Sequence, residues 1–225
     1  MKRYERNMQM LSLEENEKLK EYKVCVIGCG GLGGYVIEML GRLGIGFITA
    51  VDGDEFEASN LNRQLFANEE VLGKSKATTA KERMAIVNSL IHVNAITSRL
   101  TSENSEEILT GHDIVVDALD NIESRFVLQE ACEKLKIPMV HGAIAGWYGQ
   151  ITTIFPGDNT LQKIYTKKDM KGVEKELGNP SFTPALVASI QVSEVVKLLI
   201  GRGELLRNKI LFINTLDTDY YIAEF

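Results

Sequence analysis

The chain has 225 residues, 44% of them hydrophobic and 25% charged, with a formal net charge of −6, the make-up of a soluble globular protein of one sizeable α/β core with little room for a second. The acidic balance, with pI ≈ 5.3, argues against nucleic acid as the main partner, because displacing counterions from phosphates takes a positive field. No apolar run approaches the ~18 residues of a membrane span, and the charged opening Met1, Lys2, Arg3, Tyr4, Glu5, Arg6 lacks the apolar core of a signal peptide, so a cytoplasmic location away from membranes is expected.

In chain order, residues 11–22 are charged and helix-prone, and Ser12 with Glu15 three residues on makes a capping box. A helix ahead of the core is predicted there, so that 1–22 form an N-terminal arm and helix. Strand 23–27, helix 33–43, strand 47–52, helix 74–88, strand 94–100, helix 106–110 and strand 114–118 then alternate, and helix 125–136 and strand 139–141 continue the series. Their sum is a parallel sheet with helices on both faces. After that the rhythm changes. Strand 149–155 and a closing pair, 209–214 and 219–225 around a turn at 215–218, are expected to extend the sheet in antiparallel sense. Between them, 158–180 is charged and lacks an apolar period, which predicts a mobile loop, and 184–200 has helical spacing, with Glu194 and Lys197 read as surface charge.

The first strand runs into Gly28, Cys29, Gly30, Gly31, Leu32, Gly33. Gly28, Gly30 and Gly33 supply the G-x-G-x-x-G spacing: a tight turn, close backbone approach to a phosphate, and close packing of helix on strand. The helix that follows offers free N–H groups and the positive end of its dipole, and Asp52, ending the second strand, stands where a carboxylate accepts from ribose hydroxyls. The pattern serves NAD, FAD and some ATP sites, and also a glycine turn that only packs a helix.

Further residues narrow the choice. After Asp52 come Asp54, then Ser59, Asn60, Leu61, Asn62, Arg63 and Gln64, then Lys76. Asp54 also suits a turn and Asn60 a cap, but Arg63 and Lys76 follow the second strand toward the ligand crevice, and a triphosphate needs several cations. Beyond the fourth strand, Asp120 is suited to a magnesium ion bridging phosphate oxygens. Asn121 helps fix that turn, and Asp117 is open between a ligand and a structural carboxylate. His92, His112 and His141 read as structural. Cys25, Cys29 and Cys132 read as buried thiols, and with no C-x-x-C pair no zinc site is expected.

The ordered set Gly28-x-Gly30-Gly31-x-Gly33, Asp52-x-Asp54, Ser59 to Gln64, Gly73-x-x-Lys76 and Asp120-Asn121, preceded by Arg3-Tyr4-x-Arg6 and followed by Gly149-Gln150-Ile151-Thr152, resembles the ThiF, MoeB and HesA family, bacterial relatives of ubiquitin-activating enzymes. The resemblance implies a Rossmann-like doubly wound fold and a homodimer that uses ATP and magnesium to adenylate the C-terminal glycine of a ubiquitin-like sulfur carrier ending in Gly-Gly. It implies that Gly31 and Asp52 meet phosphate and ribose, with Asn60 and Arg63 nearby. Lys76 would bind phosphate, Asp120 would hold magnesium, and Arg6 would reach the triphosphate from the second subunit. On this reading 1–225 is one adenylation domain, with a nucleotide part at 23–141 and a carrier part at 142–225.

The chain departs from many relatives in lacking two C-x-x-C pairs and any cysteine after Cys132. Adenylation alone is therefore expected, with a separate sulfur donor, and packing of Ile210, Phe212, Ile213, Tyr221 and Ile222 in place of zinc. Lys163, Lys167, Lys168 and Lys171 suit either an acidic carrier or a solvated face, and Trp147 and Tyr148 either the tail channel or the core. Three other readings stay open: an NAD-dependent oxidoreductase, a non-catalytic partner subunit, and a relative activating a different carboxylate, such as a peptide or a modified nucleoside in transfer RNA.

Overall fold

The computed structural model describes residues 2–165 and 177–225. Its centre is an eight-stranded sheet: β1 (Lys23–Ile27), β2 (Phe47–Val51), β3 (His92–Ile96), β4 (Ile114–Asp117), β5 (Met139–Ala145), β6 (Tyr148–Ile154), β7 (Lys209–Asn214) and β8 (Asp219–Glu224), in the order β3-β2-β1-β4-β5-β6-β7-β8. The first five strands are parallel and the last three pairings antiparallel, which is the predicted doubly wound, mostly parallel sheet. The predicted strand 94–100 lies two residues earlier, at β3, and its last residues turn out of the sheet instead.

Parallel strands are covered on both faces, so successive residues must both be apolar yet belong to different cores. Val24 and Val26 pack with α2 (Gly31–Leu43), α3 (Lys76–Val87) and the long C-terminal helix α7 (Phe182–Ile200), whereas Cys25 and Ile27 pack with α4 (Ser105–Leu109), α5 (Ile122–Leu135) and α6 (Thr160–Ile164). The short helix α1 (Leu13–Lys18) begins at Ser12 with the predicted capping box. The arm before it is a 3₁₀ turn, Lys2–Asn7, pinned by Tyr4, whose hydroxyl accepts from Asn88 Nδ2 at 2.8 Å.

Four expectations are corrected. The α7 helix has 19 residues and a mean hydropathy of 1.4, long and apolar enough by length and composition to cross a membrane, against the reading that no run approaches that length. Here it packs on the sheet, and Gln191 donates to the carbonyls of Asp117 and Val140 at 2.9 and 3.2 Å. Glu194 is buried rather than a surface charge, accepting from Thr153 Oγ1 at 2.6 Å and Leu206 N at 2.8 Å and pairing with Lys197. Of the five residues expected to hold the C-terminal strands, Ile210 and Ile213 are buried but Tyr221 and Ile222 are exposed, because β8 is an edge strand with little covering it. The start of the predicted mobile loop is ordered: Asp158 pairs with Arg207 at 2.8 Å, and α6 follows. Lys167, Lys168 and Lys171 lie outside the described residues.

Candidate functional site

In the order β3-β2-β1-β4-β5, chain connections leave β1 and β4 in opposite directions, opening a crevice beyond their C-terminal ends. A cleft of about 410 Å³ lies there. Gly28 turns the chain with φ +98°, and a Cβ at Gly33 would stand 1.7 Å from the Gly28 carbonyl. The first position needs a left-handed backbone and the second needs no side chain at all, which explains the spacing of the motif. Gly33 itself lies beneath the turn and does not line the cleft; Gly28, Gly30 and Gly31 do.

Asp52 organises this turn. Its carboxylate accepts from Cys29 N at 2.7 Å and Asp54 N at 2.8 Å. Burial pushes its pKa above the ordinary carboxylate value, against the pull of those two donors and of Lys76. Lys76, buried at the start of α3, reaches Asp54 at 3.3 Å, and Arg99 closes on the other oxygen of Asp54 at 2.8 Å. Burial acts to raise the Asp54 pKa, but Lys76 and Arg99 outweigh it and hold the group below the usual value. Arg63 lies against the glycine turn, 3.7 Å from where a Gly31 Cβ would be, with its guanidinium donating to Ser59 O and Asn62 Oδ1.

Asp120 stands on the opposite wall, in the turn between β4 and α5, and Asn121 caps α5 by accepting from Ser124 N at 2.8 Å. The structure therefore brings Gly28, Gly30, Gly31, Asp52, Asp54, Arg63, Gln64, Lys76, Asp120 and Asn121 to one cleft. Besides Gly33, two predicted residues are elsewhere. Asn60 is buried in the Ala58–Asn60 turn, where its side chain accepts from Glu57 N at 3.1 Å instead of facing the cleft. Arg6 is exposed on the N-terminal arm and does not line its own chain's cleft.

The cleft also contains residues that were not singled out from the sequence: Ser98, Arg99, Thr101, Ser124, Arg125 and Asn179. Arg125 follows Asn121 by four residues, one helical turn, and so projects from the same side of α5; that spacing was the available signal. Three buried side-chain atoms of cleft residues, Gln64 Oε1, Arg125 Nε and Asn179 Oδ1, have no hydrogen-bond partner among the described residues; for Gln64 and Asn179 a polar ligand would relieve that cost, whereas Arg125 Nε stands 3.9 Å from Asp117 Oδ2. Trp147 and Tyr148 neither line the cleft nor belong to the core: both are exposed, with Trp147 5.0 Å from the Phe182 ring.

Among the described residues no three His, Cys, Asp or Glu side chains gather as a metal cluster. Asp120, an exposed carboxylate lining the cleft, suits a hard cation that would take its remaining oxygens from phosphates and water. The cysteines are ill suited to nucleophilic work: burial raises the thiols of Cys25 and Cys29 well above their ordinary value and that of Cys132 to about 12.

A glycine turn of the nucleotide-binding type, an acid closing the second strand and cations gathered at the switch point define a doubly wound α/β protein built around a nucleotide crevice. The chain belongs to the ThiF family, whose profile matches residues 4–224. It is 33% identical over 223 residues to the SAMP-activating enzyme E1 of Haloferax volcanii, covering 97% of this chain and 83% of that protein. It is 35% identical over 229 residues to the sulfur carrier protein adenylyltransferase of Thermus thermophilus, covering 97% and 84%. Among solved structures, E. coli MccB with ATP superposes with a TM-score of 0.82 at 23% identity, covering 99% of this chain and 70% of that one. PaaA gives 0.84 at 21%, covering 99% and 82%. These two likenesses concern the fold.

Proposed function

We propose that the chain is an ATP-dependent adenylyltransferase that activates the C-terminal glycine carboxylate of a ubiquitin-like sulfur carrier. The observation that carries this reading is the meeting of Arg63, Lys76 and Asp120 in the one cleft that the Gly28–Gly31 turn borders. A dinucleotide oxidoreductase has no use for that set, and a non-catalytic partner no need to keep it. The names of the relatives from Haloferax volcanii and Thermus thermophilus support the choice of acceptor.

The carboxylate oxygen of the acceptor attacks the α-phosphorus of ATP, the bond to the β-phosphate oxygen breaks, and pyrophosphate leaves with the electron pair. Attack by an anion on a polyanion is resisted by charge, so fixed cations are where the protein contributes. Lys76 and Arg63 serve that end from the glycine-turn side. Asp120 would hold magnesium, which supplies charge neutralisation across the phosphate oxygens. No general base is needed, since a carboxylate is ionised at neutral pH. Asn179 and the edge of β5 at Ala143 and Ile144 form the side of the cleft away from β3, the natural approach for the acceptor tail. The protein acts as a homodimer in the cytoplasm, and a separate sulfur donor takes over the acyl-adenylate.

The test is to mix the protein with ATP, magnesium and candidate carriers ending in Gly-Gly, and to look by intact mass for the carrier-adenylate. Asp120→Ala is expected to lower carrier-dependent pyrophosphate exchange about 100-fold or more with an unchanged melting temperature. Near-normal exchange would remove Asp120 from this role.

A further inference from the structure

Leu119, the residue before Asp120, is held at both of its backbone groups. Its N–H donates to Asp117 Oδ1 at 3.0 Å, and its carbonyl accepts from Arg125 Nη2 at 2.7 Å. Arg125 is 6% exposed, and its other terminal nitrogen, Nη1, donates to the Tyr165 hydroxyl at 2.8 Å, while its Nε stands 3.9 Å from Asp117 Oδ2 with no hydrogen-bond partner among the described residues. A phenol has one hydrogen and two lone pairs. Tyr165 accepts from Arg125 and from Gln150 Nε2 at 2.8 Å, which leaves its hydrogen for His141 Nε2 at 3.3 Å; His141 Nδ1 in turn donates to Asp117 Oδ2 at 2.7 Å. The polar chain therefore closes on itself, leaving the end of β4 through His141 and Tyr165 and returning through Arg125 to the turn that carries Asp120.

Burying a guanidinium is costly unless its donors are used. Here two are spent on fixing one turn and on tying it to Tyr165, the last described residue before segment 166–176. We propose that Arg125 is a positioning residue: by gripping the Leu119 carbonyl and the Tyr165 hydroxyl together, it sets the β4–α5 turn so that the Asp120 carboxylate is presented to the metal-bound phosphates. This deepens the adenylyltransferase reading and rests on it.

The experiment is calorimetric titration of ATP into the protein over a range of magnesium concentrations, without acceptor. For Arg125→Gln the magnesium concentration giving half-maximal ATP binding is expected to rise ~10-fold, as for the loss of a group that orients a metal ligand, well beyond any change in ATP affinity in chelator. Asp120→Asn should give a like shift, and adding Arg125→Gln to it should give no more. A merely structural arginine would weaken both titrations alike, or add to the Asp120→Asn effect; either result overturns the proposal, as does an unshifted midpoint. Should Arg125→Gln fail to fold, Tyr165→Phe, which removes one of the two anchors, is expected to raise the midpoint ~3-fold, and no rise there overturns it equally. Wild-type protein binding ATP without magnesium dependence would instead remove the metal role of Asp120, and this inference with it.

Discussion

His141 is fully buried between a carboxylate on one side and a phenol on the other. Burial lowers its pKa, and the neighbouring Asp117 only partly opposes that. The neutral ring also fits the hydrogen bonds: Nδ1 gives a proton to Asp117, and Nε2 needs its lone pair for Tyr165, whose own pKa burial raises to about 12. A histidine with a lowered folded pKa binds fewer protons in the native state than in the unfolded chain below about pH 6.5. Its stabilising effect is therefore complete above that pH and is lost as pH falls from there toward the folded value. The melting temperature is expected to fall on going from pH 7.5 to 5.5, and to fall less steeply in His141→Gln, whose amide can keep both hydrogen bonds but cannot titrate. Some slope remains in the variant, since burial also lowers the pKa of His112. Equal slopes in a calorimetric series would show that His141 is not the titrating group.

At the scale of elements, α7 carries the largest gap between pattern and place. A charge in an apolar helix reads as a solvent-facing position, yet Glu194 is 1% exposed and supports the Leu206 amide and the Thr153 hydroxyl. Glu194→Ala leaves both donors buried without an acceptor and Lys197 without its carboxylate partner, though still bonded to the Glu204 carbonyl, a loss of about 3 kcal/mol; Glu194→Gln, which retains an acceptor, should lose about half of that. Urea unfolding measures it as a lower midpoint at constant slope, and a loss below about 0.5 kcal/mol would mean that water replaces the carboxylate. The miss is instructive, because the partners of Glu194 lie 12 and 41 residues away along the chain, beyond any local period. Arg125 was legible only as a helical residue for the same reason: Leu119 is near, but Tyr165 is 40 residues on. By contrast, the strands and helices through β5 are local patterns, and the spacing of Gly28, Gly30 and Gly33 encodes a backbone shape directly, so the fold and the glycine-turn wall of the cleft could be read in advance. Tyr221 and Ile222 were misread because alternation shows that a strand has two faces, not whether anything covers them.

For the whole molecule, the reach of the N-terminal arm decides whether Arg6 can serve the cleft of its own chain. The Tyr4 ring packs on Gly44, which caps the C-terminal end of α2, whereas the glycine turn is at the other end of that 13-residue helix, about 20 Å away. An exposed arginine two residues from that anchor cannot span the distance within its own chain, so if Arg6 serves the cleft it serves that of a second copy, across an interface of the two-fold type common in homodimers. A mixing experiment separates the cases. Arg6→Ala and Asp120→Ala homodimers should each be nearly inactive in carrier-dependent pyrophosphate exchange. When the two are denatured together and refolded as an equal mixture, half of the dimers are mixed. In each of these, the cleft with intact Asp120 faces the subunit with intact Arg6, so one site of two is whole. Exchange should recover to about a quarter of the wild-type rate for random pairing. If Arg6 acted within its own chain, or if the chain worked as a monomer, every cleft in the mixture would lack one group and no activity would return.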